Sequence, residues 1–288
     1  MCIWAPVTRS SWGLLALLAL GCLPADPPEG ASRRPSSAAH STLGPRLGGA
    51  ASTPARLPAA LRTEAPSGAS GGSSARGASP AVKAAAPSAD PILKAPFHDD
   101  FARTNLGPAY RATSNAFRIE NERLCVRGAR NHPLWLAQRL PRNARIEFDA
   151  VSSSEDGDIK VEAWGDGRSS ATTVSYTNAT SYLFILGGWK NSLHVLARLD
   201  EHAQNRAELR LDPDADDPRT APVEPGRPYH FMIERRDGRT VRFSVDEVEI
   251  LTLTDPSPLE GPGHEHFGFN DWETQVCFDN LDILPLDG

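Results

Sequence analysis

Between residues 97 and 284 the chain consists of short runs in which apolar and polar residues alternate, and turn residues separate these runs. In residues 145–150, for example, Ile146, Phe148 and Ala150 share one face and three charged residues share the other. Because successive side chains of a strand point to opposite faces, this pattern is typical of a strand with one buried face. No segment shows sustained helical periodicity, so the pattern predicts an all-β domain.

Short connections between the runs indicate antiparallel hairpins. Asn121-Glu122 and Asp237-Gly238 each lie between two alternating runs, as in tight β-hairpins. About a dozen closely spaced strands favour a sandwich of two antiparallel sheets. We predict strands at residues 117–120, 123–126, 145–150, 158–164, 171–176, 182–186, 193–199, 229–235, 240–245, 247–254, 266–270 and 275–284.

Residues 1–22 have the features of an export signal. Arg9 precedes an apolar stretch, residues 12–20, that is too short to span a bilayer as a helix. The stretch leads into Leu18-Ala19-Leu20-Gly21-Cys22, which resembles a bacterial lipobox, where the cysteine is acylated and becomes the new N-terminus. We therefore expect a lipoprotein signal peptide with lipidation at Cys22. An ordinary cleaved signal with an incidental cysteine is the alternative.

Residues 23–92 form a segment of different composition. They are rich in Ala, Pro, Ser, Gly and Arg and contain few large apolar residues. Such a segment cannot bury enough surface to offset its ordering entropy, so we predict a disordered linker. The linker would hold a single domain, residues 93–288, away from a membrane.

Charge excludes one class of partner. Residues 1–92 contain 8 of the 30 Lys/Arg and 4 of the 36 Asp/Glu, which leaves 22 and 32, or a net charge of −10, for the predicted domain. A surface this acidic repels phosphate backbones, so nucleic acid is not an expected partner.

Several segments resemble concanavalin A-like lectin and glucanase jelly rolls. They are FHDDF at residues 97–101, the strand at 144–150, PGRPY at 225–229, GF at 268–269 and VCFDNLDI at 276–283. The likeness covers about residues 94–286 and implies a jelly-roll sandwich in which the first and last strands lie near one another. That arrangement would bring Cys125 close to Cys277, and export would permit a disulfide between them. Two buried thiols are the alternative.

The resemblance also implies a concave sheet face as the ligand surface, with carbohydrate or a cell-envelope component as the partner. Sugars require planar rings and charged or amide groups. Ordinary ion pairs on a solvated sheet face are the alternative for each residue. The candidates are Glu147, Lys160, Glu162, Trp164, His194 and Arg198 on outward strand faces, and Trp189 and Trp272 in turns.

A glycoside hydrolase is the alternative function. Glucanases of the resembling superfamily carry Glu-x-Asp-x-x-Glu or Glu-x-Asp-x-Glu on one strand, with catalytic carboxyl groups about 5.5 Å apart. Here Glu147 and Asp149 lack the third carboxylate, which Glu162 of another strand would have to supply. We therefore expect binding without catalysis, with these three residues as the catalytic candidates of the alternative.

No cofactor is expected, and a structural calcium ion is the one alternative considered. The resemblance implies such an ion between the terminal strands, where Asp100 and Asp279 offer hard oxygen ligands beside Asp99 and Asn280. Ordinary hydrogen bonding by these side chains is the favoured interpretation. The sequence thus predicts an exported bacterial lipoprotein of the cell envelope with one lectin-like jelly roll. A structural adhesion module with a protein partner is a third interpretation.

Overall fold

The computed structural model describes residues 88–287, so the predicted signal peptide, Cys22 and residues 23–87 of the predicted linker lie outside the described residues. Short turns occur at Gly188–Asn191 and, as a 3₁₀ turn, at Pro218–Thr220. Among residues 88–287, no helix has the length and apolar character needed to cross a membrane. The strands are β1 (Phe97–Asp99), β2 (Tyr110–Ala112), β3 (Phe117–Glu120), β4 (Arg123–Arg127), β5 (Leu134–Leu136), β6 (Ala144–Ser152), β7 (Ile159–Gly165), β8 (Tyr182–Gly187), β9 (Leu193–Arg198), β10 (Ala207–Arg210), β11 (Pro228–Arg235), β12 (Thr240–Val245), β13 (Val248–Thr254), β14 (His266–Asn270) and β15 (Gln275–Pro285).

The strands form two antiparallel sheets, and the prediction of an all-β, two-sheet jelly-roll sandwich is confirmed. One sheet has the order β13-β12-β11-β6-β15-β4-β3, and β1 also pairs with β15 to make it eight-stranded. The other has the order β10-β9-β8-β7-β14-β5-β2. The pairing of β1 with β15, with Phe97 opposite Ile283, places the first strand beside the last, as the resemblance implied.

The hydrophobic core lies between the two sheets. On β6, Ile146, Phe148 and Ala150 are fully buried, as their alternation predicts. The Phe148 ring stacks on Phe231 of the same sheet at 4.8 Å between centroids. It also meets the edge of Phe269, from the opposite sheet, at 5.9 Å. Burial of side chains of this size contributes about 1.5–3 kcal/mol each.

A disulfide fastens the eight-stranded sheet. Cys125 of β4 and Cys277 of β15 stand directly opposite one another and are bonded. The bond connects positions 152 residues apart in sequence. A loop of that length corresponds to about 4–5 kcal/mol of stabilisation in the chain-entropy model.

The strand predicted at residues 171–176 is wrong. These residues belong to an irregular segment, residues 171–181, that we call the strap because it crosses the outer face of the seven-stranded sheet. The Asn178 side chain holds the strap in shape: it accepts from the Thr172 N–H at 3.1 Å and donates to the Ser170 carbonyl at 2.9 Å. Four short strands, β1, β2, β5 and β10, are absent from the strands predicted by alternation, because runs of three or four residues contain few alternations.

The end of the predicted linker packs against the domain. Both carboxylate oxygens of Asp90 accept from Arg111 Nη2, and one of them lies 3.1 Å from His266 Nε2. Leu93 is buried. Arg139 donates from its side chain to the Asp90 carbonyl at 2.8 Å. Within the described residues, the contacts with the domain therefore extend back at least to Asp90.

Candidate functional site

The outer face of the seven-stranded sheet carries charged residues beneath a covering segment. Lys160 and Glu162 of β7 lie on this face, and Ile185 and Leu183 of β8 stand opposite them. Tyr176 of the strap packs over the face and is fully buried. A second apolar cluster, separate from the core between the sheets, forms here from Tyr176, Ala179, Leu183, Ile185, Leu193, Val195 and Ala197.

Glu162 is fully buried at the centre of this face. It accepts hydrogen bonds from Ser181 Oγ at 2.6 Å, Asn270 Nδ2 at 2.6 Å and the Tyr176 hydroxyl at 3.1 Å. Burial raises its pKa to about 7, although these three donors oppose the shift. Glu162 thus fastens the strap to the sheet and has no surface of its own for a ligand.

Lys160 is also buried, with 3% of its side chain exposed. Its ammonium group donates to Asn131 Oδ1 at 2.8 Å and to Glu201 Oε2 at 2.9 Å. Burial disfavours the charge, but the carboxylates of Asp158 and Glu201 outweigh burial and raise the Lys160 pKa above its usual range. Burial and the Glu201 charge in turn raise the Asp158 pKa, although Lys160 opposes that shift.

A pocket of about 300 Å³ opens beside this buried ion pair. Lys160, Asp158 and Glu201 contribute to its lining from the sheet side. The other walls come from the strap and from the loops around β6, β7, β8, β9, β14 and β15. The remaining lining residues are Asp156, Val174, Ser175, Trp189, Lys190, His202, Trp272, Glu273 and Thr274.

Trp189 reaches the pocket from a left-handed turn between β8 and β9. Trp189, Lys190 and Asn191 have φ values of 52°, 56° and 57°, which side-chain-bearing residues rarely adopt in succession. The Asn191 side chain holds this turn, since it accepts from Val223 N–H and donates to the Val223 carbonyl, both at 2.8 Å. Strained backbone that its surroundings hold in place is a recurrent feature of ligand sites.

The Trp189 ring is partly covered and partly open. The Arg206 guanidinium lies 4.3 Å from the ring centroid, and 36% of the residue is exposed. Exposed large apolar side chains are few among residues 88–287, namely Ile92, Val174, Trp189 and Leu284. Two of these four, Val174 and Trp189, line the pocket. A concave site with apolar walls and a few fixed polar groups is the usual form of a small-molecule site.

The expectation that Trp164 faces outward is wrong. A register shift in the β7–β14 pairing sets Ala163 opposite Phe267 and Gly165 opposite His266, so Trp164 has no partner across the ladder. This bulge turns Trp164 into the core, where it is 1% exposed. There the Arg235 guanidinium lies 4.0 Å from the ring centroid.

His194 and Arg198 also point to the core side of their sheet rather than outward. Both share a face of β9 with Leu196, which packs in the core between the sheets. His194 is 1% exposed, and its Nδ1 accepts from the Gly187 N–H at 3.0 Å. Burial lowers the His194 pKa to about 4. The opposite, outward face of β9 is apolar because the strap covers it. The polarity of His194 and Arg198 therefore predicted the wrong face for both side chains.

Glu147 and Asp149 lie on the other sheet. Both are on the outer face of β6 in the eight-stranded sheet, where His230 Nδ1 stands 2.9 Å from Asp149 Oδ1. Glu162 belongs to the seven-stranded sheet, so the core separates it from the other two. The three catalytic candidates therefore do not share a surface.

The side chains predicted to bind calcium make hydrogen bonds or an ion pair within the protein. Asp100 and Asp279 each accept a nearby backbone N–H, from Ala102 at 3.0 Å and from Asn280 at 2.9 Å. Asp99 pairs with Arg103. Among residues 88–287, no group of three or more His, Cys, Asp or Glu side chains is arranged to hold a metal ion. The calcium ion stays a prediction.

Three important residues of the site escaped the sequence analysis. Glu201 and Asn131, which bind the Lys160 ammonium group, lie in loops far from Lys160 in sequence. No local sequence pattern predicts that they contact Lys160. Tyr176 was placed in a strand. The apolar outer face of β8 and β9 was the one available signal that something covers this sheet.

Comparisons with known proteins concern the fold alone. No protein-family model matches the chain, and no curated protein matches it. Solved structures do align with it. A carbohydrate-binding module, CBM66 from Bacillus subtilis, aligns at a TM-score of 0.45 and 14% identity over 63% of this chain and 97% of its own.

Other neighbours are of related kinds. A putative glycosyl hydrolase from Parabacteroides distasonis aligns at a TM-score of 0.44 and 11% identity, over 66% of this chain and 94% of its own. Sheep galectin-11 aligns at a TM-score of 0.36 and 12% identity, over 54% of this chain and 97% of its own. Identities and scores this low carry no information about ligand or activity, so the function is argued from the site.

Proposed function

We propose that this chain is a lectin-like module that binds a glycan or a glycan-bearing cell-envelope component in the pocket beside Lys160, without catalysis. One observation supports this most: two exposed apolar side chains, Val174 and Trp189, border the same concave site, which also offers charged and hydroxyl groups. An aromatic ring that stacks on a sugar and polar groups that bond its hydroxyls are what carbohydrate recognition requires.

Catalysis has less support. A retaining glycosidase needs two carboxyl groups about 5.5 Å apart on one surface. Glu162 is buried and bonded to three donors, so it cannot act as a third carboxylate with Glu147 and Asp149, which lie together beside His230 on the other sheet. A carboxyl group that is closed to solvent cannot reach a glycosidic oxygen.

A glycan array and a polysaccharide pull-down of the full chain test the proposal, with and without calcium, followed by product analysis of every hit. We expect binding without cleaved product. Cleaved product would contradict the non-catalytic assignment, and binding to no glycan would contradict the glycan ligand and favour a protein partner. Binding that requires calcium would support an ion at the terminal strands.

We also propose that the module is exported and anchored through lipid at Cys22, with residues 23–87 as a spacer. The basis is the apolar stretch and lipobox-like sequence, and acyl chains contribute about 0.8 kcal/mol per buried methylene. Cys22→Ala should move the protein from the membrane fraction to the soluble fraction. Membrane retention of this variant would contradict the anchor.

A further inference from the structure

The strap closes the sheet face that lies next to the pocket. The outward side chains Leu183 and Ile185 of β8 and Val195 and Ala197 of β9 are all fully buried, although they point away from the core. Their cover is Tyr176 and Ala179 of the strap. A glycan chain therefore finds no open groove across the middle of this face.

Main-chain hydrogen bonds tie the strap to two neighbouring loops. The Ala171 N–H donates to the Asn131 carbonyl at 2.8 Å, and the Glu201 N–H donates to the Tyr176 carbonyl at 3.1 Å. Asn131 and Glu201 are the two residues that hold the Lys160 ammonium. The strap and the buried ion pair are thus connected through Asn131 and Glu201, and together they form one wall of the pocket.

The remaining walls also favour a small occupant. Val174 and Ser175 of the strap stand on one side of the pocket, and Trp189 is held by its left-handed turn. The volume of about 300 Å³ is at the small end of the range for ligand pockets. It suits a sugar unit or two and not a longer stretch of polysaccharide.

We infer that the pocket receives the end of a glycan chain, with the terminal sugar against the Lys160–Glu201 pair and the chain leaving towards solvent past Trp189. This inference rests on the proposed glycan-binding function and specifies it. Recognition would then depend on a free chain end, because any unit added beyond the terminal sugar collides with the strap or the ion pair.

Matched sets of oligosaccharides test the inference with the full chain. Each set, of cellulose, mannan or chitin type or taken from an array hit, contains one short glycan and its extensions by one sugar at the reducing end, at the non-reducing end and at both. We expect extension at one end to weaken binding by roughly tenfold or more and extension at the other to be tolerated.

The other outcomes separate two failures. Equal binding after extension at both ends would overturn end recognition and leave glycan binding intact. Loss of binding after extension at either end would also overturn it, because a chain end needs one open side. Binding to no member of any set would contradict the proposed function itself.

Polysaccharides of the same linkage and different chain length provide a second measurement. When equal masses of polysaccharide are compared, the amount of protein bound should be proportional to the number of chain ends. Shorter chains, which have more ends per unit mass, should therefore bind more protein. Binding that follows mass alone would overturn the inference.

Discussion

The two outer faces of the sandwich both carry charge, but in opposite ways. On the eight-stranded sheet, 31% of the Glu147 side chain and 50% of the His230 side chain are exposed, and they lie 3.9 Å apart. On the seven-stranded sheet, Lys160 and Glu201 are 3% and 8% exposed at 2.9 Å. Exposed pairs contribute about 0–1 kcal/mol, whereas buried charges require full compensation. The charges of the seven-stranded sheet are therefore part of its buried structure, and the pocket proposed as the ligand site opens beside them.

The largest expected effect breaks the buried pair. Lys160→Met leaves Glu201 and Asp158 without their ammonium partner, so we expect a loss of about 3–5 kcal/mol in the free energy of unfolding. Arg242→Met on the other face is the matched control, since Arg242 and Glu249 are both about half exposed and their pair should matter by at most about 1 kcal/mol. Urea denaturation of both variants measures the contrast, and equal losses would contradict it.

Glu162 makes the covered face sensitive to pH. Its pKa in the folded protein, about 7, lies above the ordinary value of 4.5, so the folded state binds the proton more tightly than the unfolded state. Protonation of Glu162 therefore stabilises the folded protein by roughly 3 kcal/mol below about pH 4.5. This stabilisation is lost as the pH rises from about 4.5 to about 7. Glu162→Gln should remove the part of the fall in the free energy of unfolding that Glu162 causes between about pH 4.5 and 7. Chemical denaturation at several pH values measures this. A variant that declines as steeply as the natural protein would contradict the assignment.

The bulge at Trp164 shows how far sequence alone could reach. Alternation located most strands and the inward face of β6, because each depends only on neighbouring residues. Trp164, His194 and Arg198 were misassigned, since one extra residue in β7 and a strap over β9 reverse what alternation predicts. Trp189 could be proposed from its glycine-flanked turn. Partners distant in sequence, such as Glu201, could not.

Trp189 should make the largest single side-chain contribution to glycan affinity in the pocket. Trp189→Ala removes the exposed ring, and we expect glycan affinity to fall by about 2 kcal/mol, or roughly thirtyfold. Leu284→Ala removes a similarly exposed apolar side chain from β15 in the other sheet and should leave affinity unchanged. Titration calorimetry with an array hit compares the two, and equal affinities would place the site elsewhere.

Val174 should have the smallest effect. It is 77% exposed at the strap wall, so Val174→Ser should leave the free energy of unfolding within about 0.5 kcal/mol of its original value. Lost apolar contact with a bound sugar should still weaken affinity by about 1 kcal/mol. Thermal denaturation and calorimetry on the same sample separate the two effects, and unaltered affinity would remove Val174 from the site.

Chemical-shift mapping of the full chain with an array-identified glycan tests most directly which face binds. The account predicts shifts at the backbone of Val174 and Lys190 and at the indole N–H of Trp189, with residues on the outer faces of β6 and β11 unaffected. Shifts confined to the surroundings of Glu147 and His230 would contradict it, because the ligand would then occupy the solvated face.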